Sequence, residues 1–124
     1  MVGYLVDVEH DNCGTVEVRE GRRLEDMYRL IGCRCIDITV RRVNGKPYNI
    51  VCDDEGLLTE APTVSAIGTD MRPQLVGNLL LFGIAPDMDT RSLTDEELGE
   101  IDEALREVID FGRMQMHPVL MLDV

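Results

Sequence analysis

The chain predicts an α+β fold: a small antiparallel or mixed sheet with two helices, in a single compact domain over residues 1–124. Three observations predict it. A length of 124 residues fits one domain. A hydrophobic fraction of 44% suffices for one core and argues against wholesale disorder. Short strand-like runs and turn signals recur along the chain, while helical periodicity occurs only twice. Aromatic residues make up 4% and Trp is absent, so aliphatic side chains and seven Met must fill the core.

Tyr4-Leu5-Val6-Asp7-Val8 reads as the first strand, Asp11-Asn12-Cys13-Gly14 as a turn and Thr15-Val16-Glu17-Val18 as the return. Leu24, Met27, Tyr28 and Ile31 then fall at i, i+3, i+4 and i+7, one helical stripe, and Gly32 stands where a left-handed glycine ends a helix. Ile36-Asp37-Ile38-Thr39-Val40-Arg41 alternates as a half-buried strand. Asn44-Gly45 accepts the positive φ angles of a type I′ hairpin turn. A two-residue turn there sets Ile38 opposite Val51 on the core face and Arg41 opposite Tyr48 on the other, a cation–π geometry.

Asp53-Asp54-Glu55-Gly56 closes the return strand, and signals are weak from there to Arg72. Leu79-Leu80-Leu81-Phe82-Gly83-Ile84 is a continuous apolar run, predicting a fully buried strand. Thr94 with Glu97 forms a capping box, and Leu93 with Leu98 a hydrophobic staple. The stripe Leu98, Ile101, Leu105 and Val108 extends this helix toward a stop at Gly112. Val119-Leu120-Met121-Leu122 is an apolar tail suited to an edge strand or to packing in a partner, and so to a homodimer.

The charge is lopsided, with 24 acidic against 12 basic residues and a net −12. Residues 1–84 carry 9 basic and 13 acidic groups, net −4, whereas residues 85–124 carry 3 and 11, net −8. That balance disfavours direct nucleic-acid binding and docking to anionic lipid, both of which depend on Lys and Arg. No stretch approaches the ~20 apolar residues of a membrane span. The start of the chain lacks the basic and apolar regions of a signal peptide, so a cytoplasmic setting with reduced thiols is expected.

On the predicted helix, Glu96, Glu100, Glu103 and Glu107 fall opposite the apolar stripe, with Asp110 near them and Arg106 within reach of Asp102 and Asp110. Such a face either simply solvates the domain or docks a basic protein partner by imitating nucleic-acid charge. Cys33 and Cys35, with Cys52 and Cys13 or His10, lack the paired spacing of a structural zinc site, so neither metal nor cofactor is expected. His10 and His117 have no nucleophile beside them in sequence, and there is no phosphate loop, H-E-x-x-H or G-x-S-x-G. No catalytic residue is therefore assigned, and a site built from dispersed residues stays the alternative.

An ordered set of segments carries a family resemblance. The helix ending Leu30-Ile31-Gly32 precedes a strand, then come Cys52-Asp53-Asp54-Glu55-Gly56-Leu57-Leu58 and Pro62, then Val76-Gly77-Asn78-Leu79-Leu80-Leu81-Phe82-Gly83, then Ser92-Leu93-Thr94-Asp95-Glu96-Glu97. Over residues 1–98 the chain resembles the family of small phage and mobile-element proteins known as domain of unknown function 3846. It departs between Thr63 and Gln74, where the family often has an Asn-Arg pair after its proline. The rest of the acidic helix and the tail, residues 99–124, appear as additions. The resemblance implies a cytoplasmic accessory protein and supplies no activity and no catalytic residues.

Overall fold

A computed structural model describes residues 1–58, 61–110 and 112–124. The elements in chain order are β1 (Val2–Asp7), β2 (Asn12–Glu17), α1 (Arg23–Ile31), β3 (Ile36–Val43), β4 (Lys46–Asp53), β5 (Val64–Gly68), β6 (Pro73–Val76), β7 (Leu79–Ile84), β8 (Thr90–Arg91), α2 (Asp95–Glu103), β9 (Leu105–Asp110) and β10 (Gln115–Leu122). The larger sheet has the order β2-β1-β7-β4-β3, with β8 beside β7, and the smaller has the order β6-β5-β10-β9. The α+β expectation holds, and the parallel pairing of β10 with β5 makes the smaller sheet mixed.

The larger sheet is covered on both sides. On one, Met27 and Ile31 of α1 pack on Leu5, Val51, Leu80 and Phe82. On the other, Tyr4, Val6, Tyr48, Ile50, Leu79 and Leu81 meet Ala66, Leu120 and Leu122 of the smaller sheet, and Ile101 of α2 joins them. This is why 79–84 is apolar without alternation: β7 is central and has no solvent face.

The Asn44-Gly45 turn forms as predicted, with φ of 51° and 81°. The predicted register, Ile38 with Val51 and Arg41 with Tyr48, also forms. The assignment of faces needs correcting. Both Val51 and Tyr48 are buried because β4 is covered on both sides, while Ile38, on the edge strand β3, is 48% exposed. Arg41 is turned toward Gln74, donating to its Oε1 at 2.9 Å, and Tyr48 points to α2.

Three further expectations shift. The first turn falls at residues 8–11, before the predicted one. There Asp7 Oδ1 accepts the N–H groups of Glu9 and His10, and Asp11 takes the left-handed conformation, so Asn12, Cys13 and Gly14 enter β2. Gly32 ends α1 with φ 78°, as expected, but Leu24 is exposed and Asp26 is buried in its place. Asp26 accepts from the Arg19 guanidinium at 2.7 Å and lies 3.6 Å from that of Arg29. The weak stretch after Gly56 contains β5, and β6 follows it from Pro73; their pairing has two register shifts, so no regular alternation marks it. Thr59 and Glu60, in that stretch, lie outside the described residues.

The largest correction concerns the second helix. It stops at Glu103, and Leu105-Arg106-Glu107-Val108-Ile109-Asp110 is a strand antiparallel to β10. Phe111, in the predicted helix, lies outside the described residues. The tail explains the change: β10 is an inner strand, and its backbone needs partners on both sides. Supplying them outweighs a helix propensity that Val108 and Ile109, both β-branched, already lower. The tail is therefore paired within the chain on both edges and offers none to a second copy.

Candidate functional site

The start of α2 is built as expected. Thr94 Oγ1 accepts the Glu97 N–H at 3.2 Å, and Glu97 Oε1 accepts the Thr94 N–H at 2.9 Å. Leu93 and Leu98 both join the core between the sheets. Glu97 does more than cap. Its carboxylate is fully buried and accepts two bonds from Arg91, at 2.7 and 2.9 Å, with Lys46 Nζ 3.0 Å away. Arg91 and, to a lesser degree, the Thr94 N–H and Lys46 hold this carboxyl well below the usual range.

The other acidic residues of α2 face outward. Glu96 and Glu103 are exposed and Glu100 is half-buried. Glu107 is exposed too, but it projects from β9, so the four glutamates do not share the single helical face predicted. Among the described residues, no Lys or Arg lies within ion-pair distance of Glu96, Glu100, Glu103 or Glu107. Arg106 does not reach Asp102 or Asp110 as predicted; its Nη1 donates to the carbonyls of Glu103 and Leu105, at 2.7 and 2.8 Å. Two tyrosines tie the surface to the core: Tyr4 Oη donates to Asp102 at 2.7 Å and Tyr48 Oη to Glu100 at 3.4 Å. Burial, then these carboxylates, push both phenols up. Glu100, Glu103 and Asp123 line a cleft of about 220 Å³ with Asn44, Ala104 and Arg106.

The surroundings of all four thiols favour the protonated form. Burial pushes Cys13 and Cys33 up to about 11, and Cys52 up as well. A hydrogen bond with Glu55 raises exposed Cys35. Cys33 and Cys35 precede β3 rather than lying in it, so they do not share a strand face. His10 Nδ1 lies 2.9 Å from Asp7 Oδ2, and buried His117 puts Nε2 2.9 Å from the Val64 carbonyl. Two adjoining hollows of about 420 and 490 Å³ share Glu9, Thr63, Arg113 and Gln115, and the second also includes His10 and His117. Nothing in the sequence pattern joins these groups; the β9–β10 hairpin carries Arg113 to Thr63 and the Ala61 carbonyl.

The two inward carboxylates dictate an acid limb of stability. The Arg19 guanidinium and backbone N–H hold Asp26 well below its ordinary 3.8, and Glu97 lies well below its ordinary 4.5. The unfolded chain takes up these protons first, so the stabilisation is complete above about pH 5 and is lost as pH falls through and below those ordinary values. Urea midpoints measured against pH are expected to be level near neutrality and to drop on acidification. Glu97→Gln and Asp26→Asn should each flatten the drop; an unchanged slope would contradict the assignment.

Fold and surface together define a small acidic α+β domain whose α2 glutamates Glu96, Glu100 and Glu103 have no ion-paired cation among the described residues. By sequence the chain belongs to the family described as Domain of unknown function (DUF3846), which it matches over residues 1–106. The match runs past the 1–98 expected and takes in all of α2. No curated protein and no solved structure matches the chain. No helix among the described residues is long and apolar enough to cross a membrane.

Proposed function

We propose that this protein is a non-enzymatic accessory protein of a phage or mobile element, acting in the cytoplasm by binding a basic protein partner. One observation carries the reading: Glu96, Glu100 and Glu103 recur at helical spacing on α2, Glu107 is exposed on β9, and among the described residues no cation is paired to any of them. The cleft between Glu100, Glu103 and Asp123 is a seat for one Lys or Arg side chain of that partner. The phage or mobile-element setting is what the family resemblance implies. Affinity capture at low and high salt tests the binding, which should weaken as salt rises. Changing Glu96, Glu103 and Glu107 to Lys should abolish capture without unfolding the domain, since none of the three is buried. Glu100 is spared because it accepts from Tyr48. Capture that survives both high salt and the triple change refutes the role of charge.

The hollows around Arg113 favour a second reading, a small-ligand domain. It ranks second because the groups there already satisfy one another: Arg113 bonds Thr63 and Ala61 and lies 3.8 Å from Asp110, and His10 pairs with Asp7. Native mass spectrometry showing a stoichiometric bound metabolite would reverse the ranking.

A further inference from the structure

The smaller sheet ends in an open edge whose pairing preference can be read from its register. Met121 N–H donates to the Ala104 carbonyl at 2.9 Å, which places the hydrogen-bonded pairs of β9 and β10 at Ala104, Arg106, Val108 and Asp110. Pro118, which has no N–H, falls opposite Glu107 in a non-bonded pair, as this phase requires. The N–H and C=O groups of Glu107 and Ile109 therefore point away from β10, and among the described residues no backbone group bonds them.

Two other edges, β3 and β6, are blunted. On β3, Asp37 Oδ1 accepts the outward N–H of Ile38, and the Arg42 carbonyl accepts from Asp123 N–H. On β6, Pro73 and two register shifts interrupt pairing. The edge strand β2 also presents outward groups, at Cys13, Thr15 and Glu17, where no Lys or Arg stands beside them in the strand. On β9 two consecutive outward positions are unprotected among the described residues, and beside them Ile109 and Met116, opposite one another, are 53% and 55% exposed.

We propose that two copies of this chain pair antiparallel through β9, on a two-fold axis at Val108. Charge selects the register. Centring the pair on Glu107 would set two glutamates face to face. Centring it on Val108 lets Glu107 and Ile109 exchange backbone bonds with Ile109 and Glu107 of the second copy. It also sets Arg106 opposite Asp110 of the second copy, and by symmetry this happens twice. Among the described residues the hydrogen bonds of Arg106 within its own chain go to the carbonyls of Glu103 and Leu105. The two smaller sheets become one continuous sheet. This inference does not rest on the basic-partner reading, although Glu107 belongs to both surfaces; Ile109→Pro and Arg106→Glu leave the glutamates of that reading in place.

A dimer mass is expected in light scattering of the whole protein at high micromolar concentration. Val108→Cys, in a Cys35→Ser background, should oxidise to a disulfide-linked dimer, because facing residues of a non-bonded pair lie within disulfide reach. Ile109→Cys, which faces Glu107 of the second copy, should not. Ile109→Pro removes only an outward N–H and should give a monomer with unchanged circular dichroism. Arg106→Glu converts two attractions into repulsions and should weaken dimerisation about tenfold; it decides the matter if the proline variant unfolds. A wild-type monomer at hundreds of micromolar, a dimer indifferent to Ile109→Pro and Arg106→Glu, or equal cross-linking at positions 108 and 109 would overturn the proposal.

Discussion

Glu97→Ala is expected to cost about 3 kcal/mol of stability, the largest effect of any single polar change in the domain. Two losses combine. The Thr94 N–H loses its acceptor, a capping contribution of about 1 kcal/mol. Arg91 and Lys46 lose the carboxylate that they share. Arg91 is 35% exposed and Lys46 44%, so both can partly rehydrate, which keeps the total at the low end for a broken buried pair. In a chain of this length the melting temperature should fall by about 10 °C. Glu97→Gln keeps an acceptor for Thr94 and should fall in between. A loss under about 1 kcal/mol in Glu97→Ala would mean that the clamp contributes little.

Gly3→Ala is the second. In an open strand position, replacing glycine by alanine stabilises by about 0.5–1 kcal/mol. Here the sign should reverse. A Cβ on Gly3 would lie 2.5 Å from a Phe82 ring carbon and 2.9 Å from the Leu81 carbonyl oxygen. Phe82 is fully buried against α1's side of the sheet, and the Leu81 carbonyl is backbone, so neither yields freely. A loss of about 2 kcal/mol is expected from chemical denaturation. A neutral or stabilised variant would show that the ring is not seated on the glycine.

Local signals were readable where local chemistry decides. The capping box of Thr94, the left-handed stop at Gly32 and the Asn44-Gly45 turn all depend on residues close in sequence. Leu79–Ile84 was legible because burial on both faces removes alternation. The helix predicted to reach Gly112 failed for the opposite reason: Leu105–Asp110 has a helical stripe, but a strand elsewhere in the chain needs its backbone. The faces of the hairpin were misjudged because a second layer over β4 cannot be inferred from the strand's own pattern. Of the candidate face, Glu96, Glu100 and Glu103 keep their helical spacing, whereas Glu107 leaves the helix for β9. The clustering around Arg113 had no local signal at all.

The place of β10 also sets an order of assembly. The larger sheet is made entirely from residues 2–91, and its strands can pair as they are synthesised. β5 cannot acquire its parallel neighbour, nor the inner core its Leu120 and Leu122, until residues 115–122 have emerged. Those residues lie wholly beyond the stretch that defines the family. A nascent chain halted short of them would expose one apolar face of a finished sheet, so the slow step of folding should be the insertion of this strand between β5 and β9.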